Sequence, residues 1–221
     1  MLLAALFATA VTAACPSNLV NDLRVQPRAT QLVTVTAAST RTTHATLRTW
    51  QRAGGCWRPA AGPYRARLGH AGLSANRREG DGTTPAGTFR IHPTMYGNEP
   101  NPGVSFRYLR VRCGDWWDED PSSPTYNTFR RVRCGARPPF AGNSEGMWES
   151  PRAYPYLAVV EFNMRPVVRG RGSGIFLHAQ TGGPTNGCVS IAKPQLRAVL
   201  RWLKPGAAPH IAIGTPRQLR R

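Results

Sequence analysis

Short runs in which apolar and polar residues alternate, each closed by a Gly- or Pro-bearing turn, constrain this chain more than any other feature. "QLVTVTAA" (Gln31 to Ala38) and "ATLRTWQRA" (Ala45 to Ala53) alternate with a period of two, as a strand with one buried face does. Further strand candidates are Tyr64 to Leu68, Thr88 to His92, "RYLRVRC" from Arg107, "YLAVVEFN" (Tyr156 to Asn163), "SGIFLHA" (Ser173 to Ala179) and "HIAIG" from His210. Helical spacing is convincing only in "KPQLRAVLRWLKPG", with Pro194 in its first turn, apolar Leu196, Val199, Leu200 and Leu203, and a Pro-Gly stop. The 22 Gly and 20 Pro weigh against a helical bundle. From Gly114 to Pro155 no period is visible. With neither an internal repeat nor a break in composition, the 221 residues predict one domain with a proper core. It is mainly β, a sandwich or partly open barrel, with one packed helix near the end.

The amino terminus predicts where such a domain works. Met1 to Ala14, "MLLAALFATAVTAA", is apolar and uncharged. It is shorter than the roughly 20 apolar residues of a membrane span. It resembles the apolar core of a secretory leader, with small residues Thr12-Ala13-Ala14 at the cleavage site. No Lys or Arg precedes the run, and a buried helix or lipidation of Cys15 are the alternatives. The expected division is a leader over 1–14, a mature amino-terminal segment over 15–30, one domain over 31–214 and a basic tail over 215–221. Export to the wall or a periplasm-like space follows.

Five cysteines, an odd number, in an exported chain imply bridges plus one thiol kept free. Cys113 and Cys134 flank a turn-rich span and form the first expected pair. Cys15 and Cys56 form the second, and Cys188 is left over. Basic residues outnumber acidic ones 29 to 11, a net charge of +18, and only Lys193 and Lys204 are lysines. That charge favours anionic partners such as a wall polymer, although an arginine-biased proteome accounts for it equally. The arginines are spread along the chain without forming a stripe, which argues against a nucleic-acid face.

The leftover cysteine lies in "FLHAQTGGPTNGCVSIAKPQ" (Phe176 to Gln195). A cysteine nucleophile needs a base, because a free thiol with a pKa near 8.5 is only a few per cent thiolate at neutral pH. His178, near the end of a predicted strand, is the candidate base, able to hold the thiolate as an ion pair. Gly187 lets the backbone approach a bound carbonyl, and the amides of Gly187 and Cys188 are candidate oxyanion donors. The helix that starts near Lys193 adds a little positive potential. No CxxC or HxxxH spacing is present, so a zinc site is not expected.

"GIFLHAQTGGPTNGCVSI" resembles the active-site signature of the L,D-transpeptidase (YkuD-type) catalytic domain family. The match runs through strand-borne His178, then Thr185, Gly187, Cys188 and Val189. "DGTTPAGTF" (Asp81 to Phe89) resembles a second family motif, a Thr-Pro-x-Gly-x-Phe turn. The resemblance spans about Gln31 to Gly214. It implies acyl transfer on peptidoglycan stem peptides, with Cys188 as nucleophile and His178 as proton acceptor and donor. Thr185, Asn186 and Gly187 would support the loop. Gly182, Gly183, Trp116 and Trp117 are candidate substrate contacts. Asn186 stands where the family usually has His, and the "TNGC" motif and the "CGDWWDEDPSSPTYN" insert look like traits of a subgroup. Two other readings stay open: an L,D-carboxypeptidase that uses the same residues, and a non-catalytic basic protein that binds wall polymer. The oligomeric state is not legible.

Overall fold

A computed structural model describes residues 14–23, 25–141 and 144–220. The expected leader lies outside the described residues except for Ala14. In chain order the strands are β1 (Gln31–Thr36), β2 (His44–Ala53), β3 (Cys56–Arg67), β4 (Leu73–Ser74), β5 (Thr84–Pro85), β6 (Gly87–Gly97), β7 (Arg107–Arg110), β8 (Asp115–Asp118), β9 (Thr128–Arg131), β10 (Glu145–Gly146), β11 (Leu157–Val160), β12 (Phe176–Ala179), β13 (Val189–Ile191) and β14 (His210–Gly214). The α-helices are α1 (Lys193–Trp202) and α2 (Pro216–Leu219).

Strands β11, β12, β13, β3, β2, β1, β14 and β6 are hydrogen-bonded in that order, and β6 pairs back with β11. The sheet is thus a closed barrel, with β7 attached to β6 in parallel. Closure runs through Leu157↔Tyr96 and Ala158↔Met95, followed by a register shift between Ala158 and Val160. Such a bulge bends a strand and strengthens its twist, which helps a sheet to close.

The β2–β3 hairpin is longer than the sequence suggests. Ala53 pairs with Cys56 across Gly54 and Gly55, whose φ angles are 57° and 79°. Two residues with positive φ make the type I′ turn that matches strand twist. Pro59 and Pro63 hid the first half of β3 from a sequence reading. They are tolerated because β13 pairs with β3 only at Ala66 and Arg67, so the earlier residues lie along a free edge.

Alternation along the strands sorts side chains to the two faces of the barrel wall. Val33 and Val35 of β1, Ala158 and Val160 of β11, Leu177 and Ala179 of β12, Val189 and Ile191 of β13, and Ile211 and Ile213 of β14 share one buried cluster. Helix α1 adds Leu196, Val199 and Leu200 to it, and Leu203 follows just beyond the helix end. Residues of opposite parity form two further clusters. Leu157, Val159, Phe176 and Cys188 pack with Trp117, Tyr96, Met147 and Tyr154. Leu32 and Ala212 pack with Val20, Trp50, Trp57 and Leu219.

The described residues of the aperiodic span from Gly114 to Pro155 form the layer over the second of these clusters, with β8 between β9 and β10. Two-residue β10 is too short to show a period, and β8 "DWWD" has no polar face because Asp115, Trp117 and Asp118 are all buried. The third cluster seals the opposite flank. Asn21 accepts from the Trp57 amide at 2.7 Å. Residues 215–219, within the expected basic tail, form a turn of helix in which Thr215 and Gln218 make a capping box.

Both expected bridges are formed, Cys15–Cys56 and Cys113–Cys134, and Cys188 is a buried free thiol. The first ties the amino-terminal segment to the β2–β3 hairpin. The second joins the chain before β8 to the chain after β9. Loop-closure entropy over a separation of 21 residues corresponds to about 3 kcal/mol. Replacing Cys113 and Cys134 together by Ser should therefore lower unfolding free energy by about 3 kcal/mol in urea titrations. An unchanged midpoint would show that the bridge does not hold this layer.

Candidate active site

The site is built on β12 and β13, which pair in parallel. Leu177 is opposite Val189 and His178 is opposite Ser190. Leu177 and Val189 face the barrel interior, so strand parity turns Phe176, His178 and Cys188 to the other face. Cys188 is 8% exposed and His178 6%. Both line one cleft of about 730 Å³, together with His70, Arg77, Glu119, Glu145, Tyr154 and Asn186 among others.

Residues remote in sequence hold the thiol in place. Cys188 Sγ accepts from the Phe176 amide at 3.2 Å and donates to the Gly174 carbonyl at 3.3 Å. Gly174 is itself fixed, because its amide donates to Asn127 Oδ1 at 3.1 Å. The same oxygen accepts from Trp117 Nε1 at 3.0 Å, and Asn127 Nδ2 donates to the carbonyls of Phe162 and Asn163. The aperiodic insert thus reaches the Cys188 thiol through Asn127, which no sequence signal singled out.

The second motif supports the loop from the opposite side. Thr84 Oγ1 donates to the Cys188 carbonyl at 3.3 Å and accepts from the Gly69 amide at 2.7 Å. Thr185 Oγ1 donates to the Cys188 carbonyl at 2.7 Å and accepts from the Gly187 amide at 3.2 Å. Thr185 thus bridges the two ends of its own turn. The Gly187 amide, expected as an oxyanion donor, is instead engaged inside this turn. That leaves the Cys188 amide of the expected pair.

His178 is oriented by its surroundings. Its Nδ1 lies 2.9 Å from the Ala179 carbonyl oxygen. A carbonyl only accepts, so Nδ1 carries the proton of the neutral ring and Nε2 keeps a lone pair. Tyr154 stands edge-on to the imidazole at 5.3 Å, and its hydroxyl donates to Glu145 at 2.7 Å and 2.9 Å from the two carboxylate oxygens. Among the described residues no hydrogen bond joins His178 to Cys188.

Electrostatics keep both partners neutral at rest. Burial lowers the His178 pKa to about 4, against the opposing pull of the Ala179 and Ala153 carbonyls. Burial raises the Cys188 thiol well above its ordinary range, and Glu145 adds to the rise, while the Phe176 amide and Arg77 work against it. The resting pair is thus thiol and imidazole, not the ion pair the sequence suggested. Burial likewise raises Glu119 and Glu145, with neighbouring carboxylates contributing to both.

The remaining expected contacts are placed differently. Asn186 lines the cleft, whereas Gly182 and Gly183 do not, although Thr181 and Pro184 on either side of them do. Trp116 and Trp117 stand apart from it. Trp116 packs edge-on against Phe140 and Trp148, and Trp117 is 1% exposed beneath the β8–β10 layer. Helix α1 begins beyond β13, so the whole strand separates its start from Cys188. Among the described residues no group of three or more His, Cys, Asp or Glu is arranged to hold a metal ion. No helix there is long and apolar enough to cross a membrane.

The depressed His178 pKa makes a stability prediction. The unfolded imidazole takes up its proton near pH 6.5, and the folded one resists until about 4. His178 therefore contributes stability that is present above pH 6.5 and lost as pH falls through about 4, by about 3 kcal/mol. Urea unfolding at pH 7 and pH 4 should show that His178→Gln is less acid-sensitive than the parent by about that amount. Equal losses in the two proteins would contradict a buried neutral imidazole.

Residues 40–211 match the family model of the YkuD L,D-transpeptidase catalytic domain. The crystal structure of the helical cell shape determining protein Pgp2 from Campylobacter jejuni is similar at 14% identity and a TM-score of 0.41. The alignment covers 84% of this chain and 48% of that one, so the chain spans about half the length of that protein. No curated protein sequence matches. The family match takes in strands from β2 to β13, both sequence motifs and the Cys188–His178 cleft, and the chain belongs to the YkuD family of L,D-transpeptidase catalytic domains.

Proposed function

We propose that the protein is an exported peptidoglycan L,D-transpeptidase in which Cys188 is the nucleophile and His178 the proton carrier. The observation that carries this reading is the outward parity of the two side chains on neighbouring parallel strands, which opens both to one cleft. Cys188 Sγ attacks the carbonyl of the third stem residue and forms an S–C bond, while Nε2 of His178 takes the thiol proton. The Cys188 amide donates to the oxyanion. The tetrahedral intermediate expels D-alanine as its C–N bond breaks, and His178 protonates the leaving amine. An amine from a second stem then attacks the thioester, forms the crosslink and releases Cys188, which regains its proton through His178. With water as acceptor the same steps amount to L,D-carboxypeptidase action.

A neutral resting pair suits this sequence. A buried thiol is protected from casual oxidation and alkylation, and the substrate carbonyl supplies the driving force for proton transfer as it approaches. Two disulfides fit an oxidising compartment. The net charge of +18 fits attraction to an anionic wall polymer.

Purified protein incubated with a tetrapeptide stem should release D-alanine, and an added acceptor stem should divert product into a crosslinked dimer. Cys188→Ala should abolish both while shifting the melting temperature little. Release that persists in this variant sinks the cysteine mechanism, and binding without release in the parent favours the non-catalytic reading. Release with no dimer at any acceptor concentration assigns the carboxypeptidase.

His178→Ala should lower turnover at pH 7 by at least about a hundredfold. Part of the rate should return at alkaline pH, where solvent begins to take the proton that the imidazole no longer accepts. A pH–rate profile unchanged by the substitution removes His178 from the mechanism.

A further inference from the structure

Four carboxylates line the cleft (Glu79, Glu119, Glu145 and Glu149), yet among the described residues Arg77 is the sole Lys or Arg there. Its side chain is 4% exposed. The guanidinium is clamped between two backbone segments. A Cβ built on Gly187 would lie 2.4 Å from Nη1, and one built on Gly172 would lie 2.6 Å from Nε. Both positions must therefore stay bare for Arg77 to pass. Its place is against the residue that precedes the nucleophile.

The hydrogen bonding of this cation is lopsided. Nη1 donates to the Thr83 carbonyl and lies 3.4 Å from Asp81 Oδ1. Asp81 is already satisfied by its own turn, accepting from the Arg78 amide at 2.7 Å, the Thr83 amide at 2.9 Å and Thr83 Oγ1 at 2.7 Å. Nε is buried with no partner, and Nη2 has none among the described residues. Arg77 lines the cleft, and with Nη1 engaged and Nε enclosed beside Gly172, Nη2 is the donor left for a ligand carboxylate. Leaving a charged donor unpaired is costly unless a ligand or solvent completes it.

We propose that Arg77 is the subsite for the free carboxylate at the end of the donor stem, so that the cleft selects peptides that stop one residue beyond the scissile bond. The proposal rests on the acyl-transfer reading given above. In such a donor three bonds separate the scissile carbon from the terminal carboxylate carbon, a distance of about 4 Å at most. A substrate carbonyl on Cys188 Sγ therefore brings its carboxylate beside the nucleophile, where a cation next to Gly187 can meet it. The opposing acids are restrained. Burial holds Glu119 and Glu145 toward the protonated form, and Glu79 accepts from Ser173 at 2.6 Å and from the Tyr126 hydroxyl. Discrimination for an anion in this otherwise acidic cleft depends on Arg77.

Binding to Cys188→Ala protein, which cannot turn over, separates recognition from chemistry. Calorimetry should show a tetrapeptide ending in a free D-alanine carboxylate binding about tenfold tighter than its carboxyl-terminal amide. Adding Arg77→Gln should bring that ratio close to one while leaving the affinity for the amide nearly unchanged. Arg77→Lys should restore part of the preference. Equal weakening of both peptides marks a purely structural arginine and overturns the proposal, as does a ratio that survives Arg77→Gln. Equal binding of acid and amide by the Arg77 protein, or binding of neither, overturns it too. If Arg77→Gln fails to fold by thermal melt, the ratio in the Arg77 protein and its change in Arg77→Lys decide. D-alanine release by the unmodified protein tests the acyl-transfer reading separately, since acid preference can stand where release fails.

Discussion

Parallel pairing of β12 with β13 holds His178 opposite Ser190 while Leu177 and Val189 turn inward, and most of the site follows from that register. A slip of one residue would exchange the two faces, driving Cys188 and His178 into the barrel and Leu177 and Val189 out. The apolar core therefore guards the site: it specifies register, and register specifies the direction of Cys188 and of His178. Barrel closure adds to this, because a sheet in which β11 pairs with both β12 and β6 leaves β12 little freedom to shift. Burying a Leu or Val side chain is worth about 1.5 to 3 kcal/mol. A slipped register would forfeit that for each residue it exposed.

The second layer converts a well-placed thiol into an insulated one. Trp117, Tyr154 and Phe176 exclude water around Cys188, and Asn127 fixes the Gly174 carbonyl to which the thiol donates. Within this enclosure burial outweighs the favourable contribution of the Phe176 amide, and both catalytic candidates rest uncharged. In a chain with a net charge of +18 the cleft gathers four of the eleven acidic residues. The overall charge thus says little about the local potential at the thiol, where among the described residues Arg77 is the one Lys or Arg lining the cleft.

Sequence reading captured what is periodic or paired. Alternation located β1 and β2, helical spacing located α1, and cysteine parity singled out Cys188. It fell short where context overrides local pattern. Prolines masked the first half of β3 because an unpaired edge cannot be seen in a sequence. Two-residue β10 has no period to detect, and β8 buries both of its acids, so no polar face alternates with an apolar one. The Gly187 amide donates to the Thr185 hydroxyl, a bond within the loop that no periodic pattern announces. Thr84 sat inside a motif already quoted, but its bond to the Cys188 carbonyl spans 104 residues. Arg77 and Asn127 carry no local signature at all, since what matters about them is the long-range contacts they make.

The central claim is that Cys188 is an acyl-accepting nucleophile despite its neutral resting state. Carbapenems acylate the nucleophile of this family, so peptide mapping by mass spectrometry after incubation with a carbapenem tests the claim most directly. The account predicts one covalent adduct, located on Cys188, formed at neutral pH in protein whose other four cysteines remain paired. An unmodified protein after prolonged exposure, or an adduct on any other residue, would contradict it.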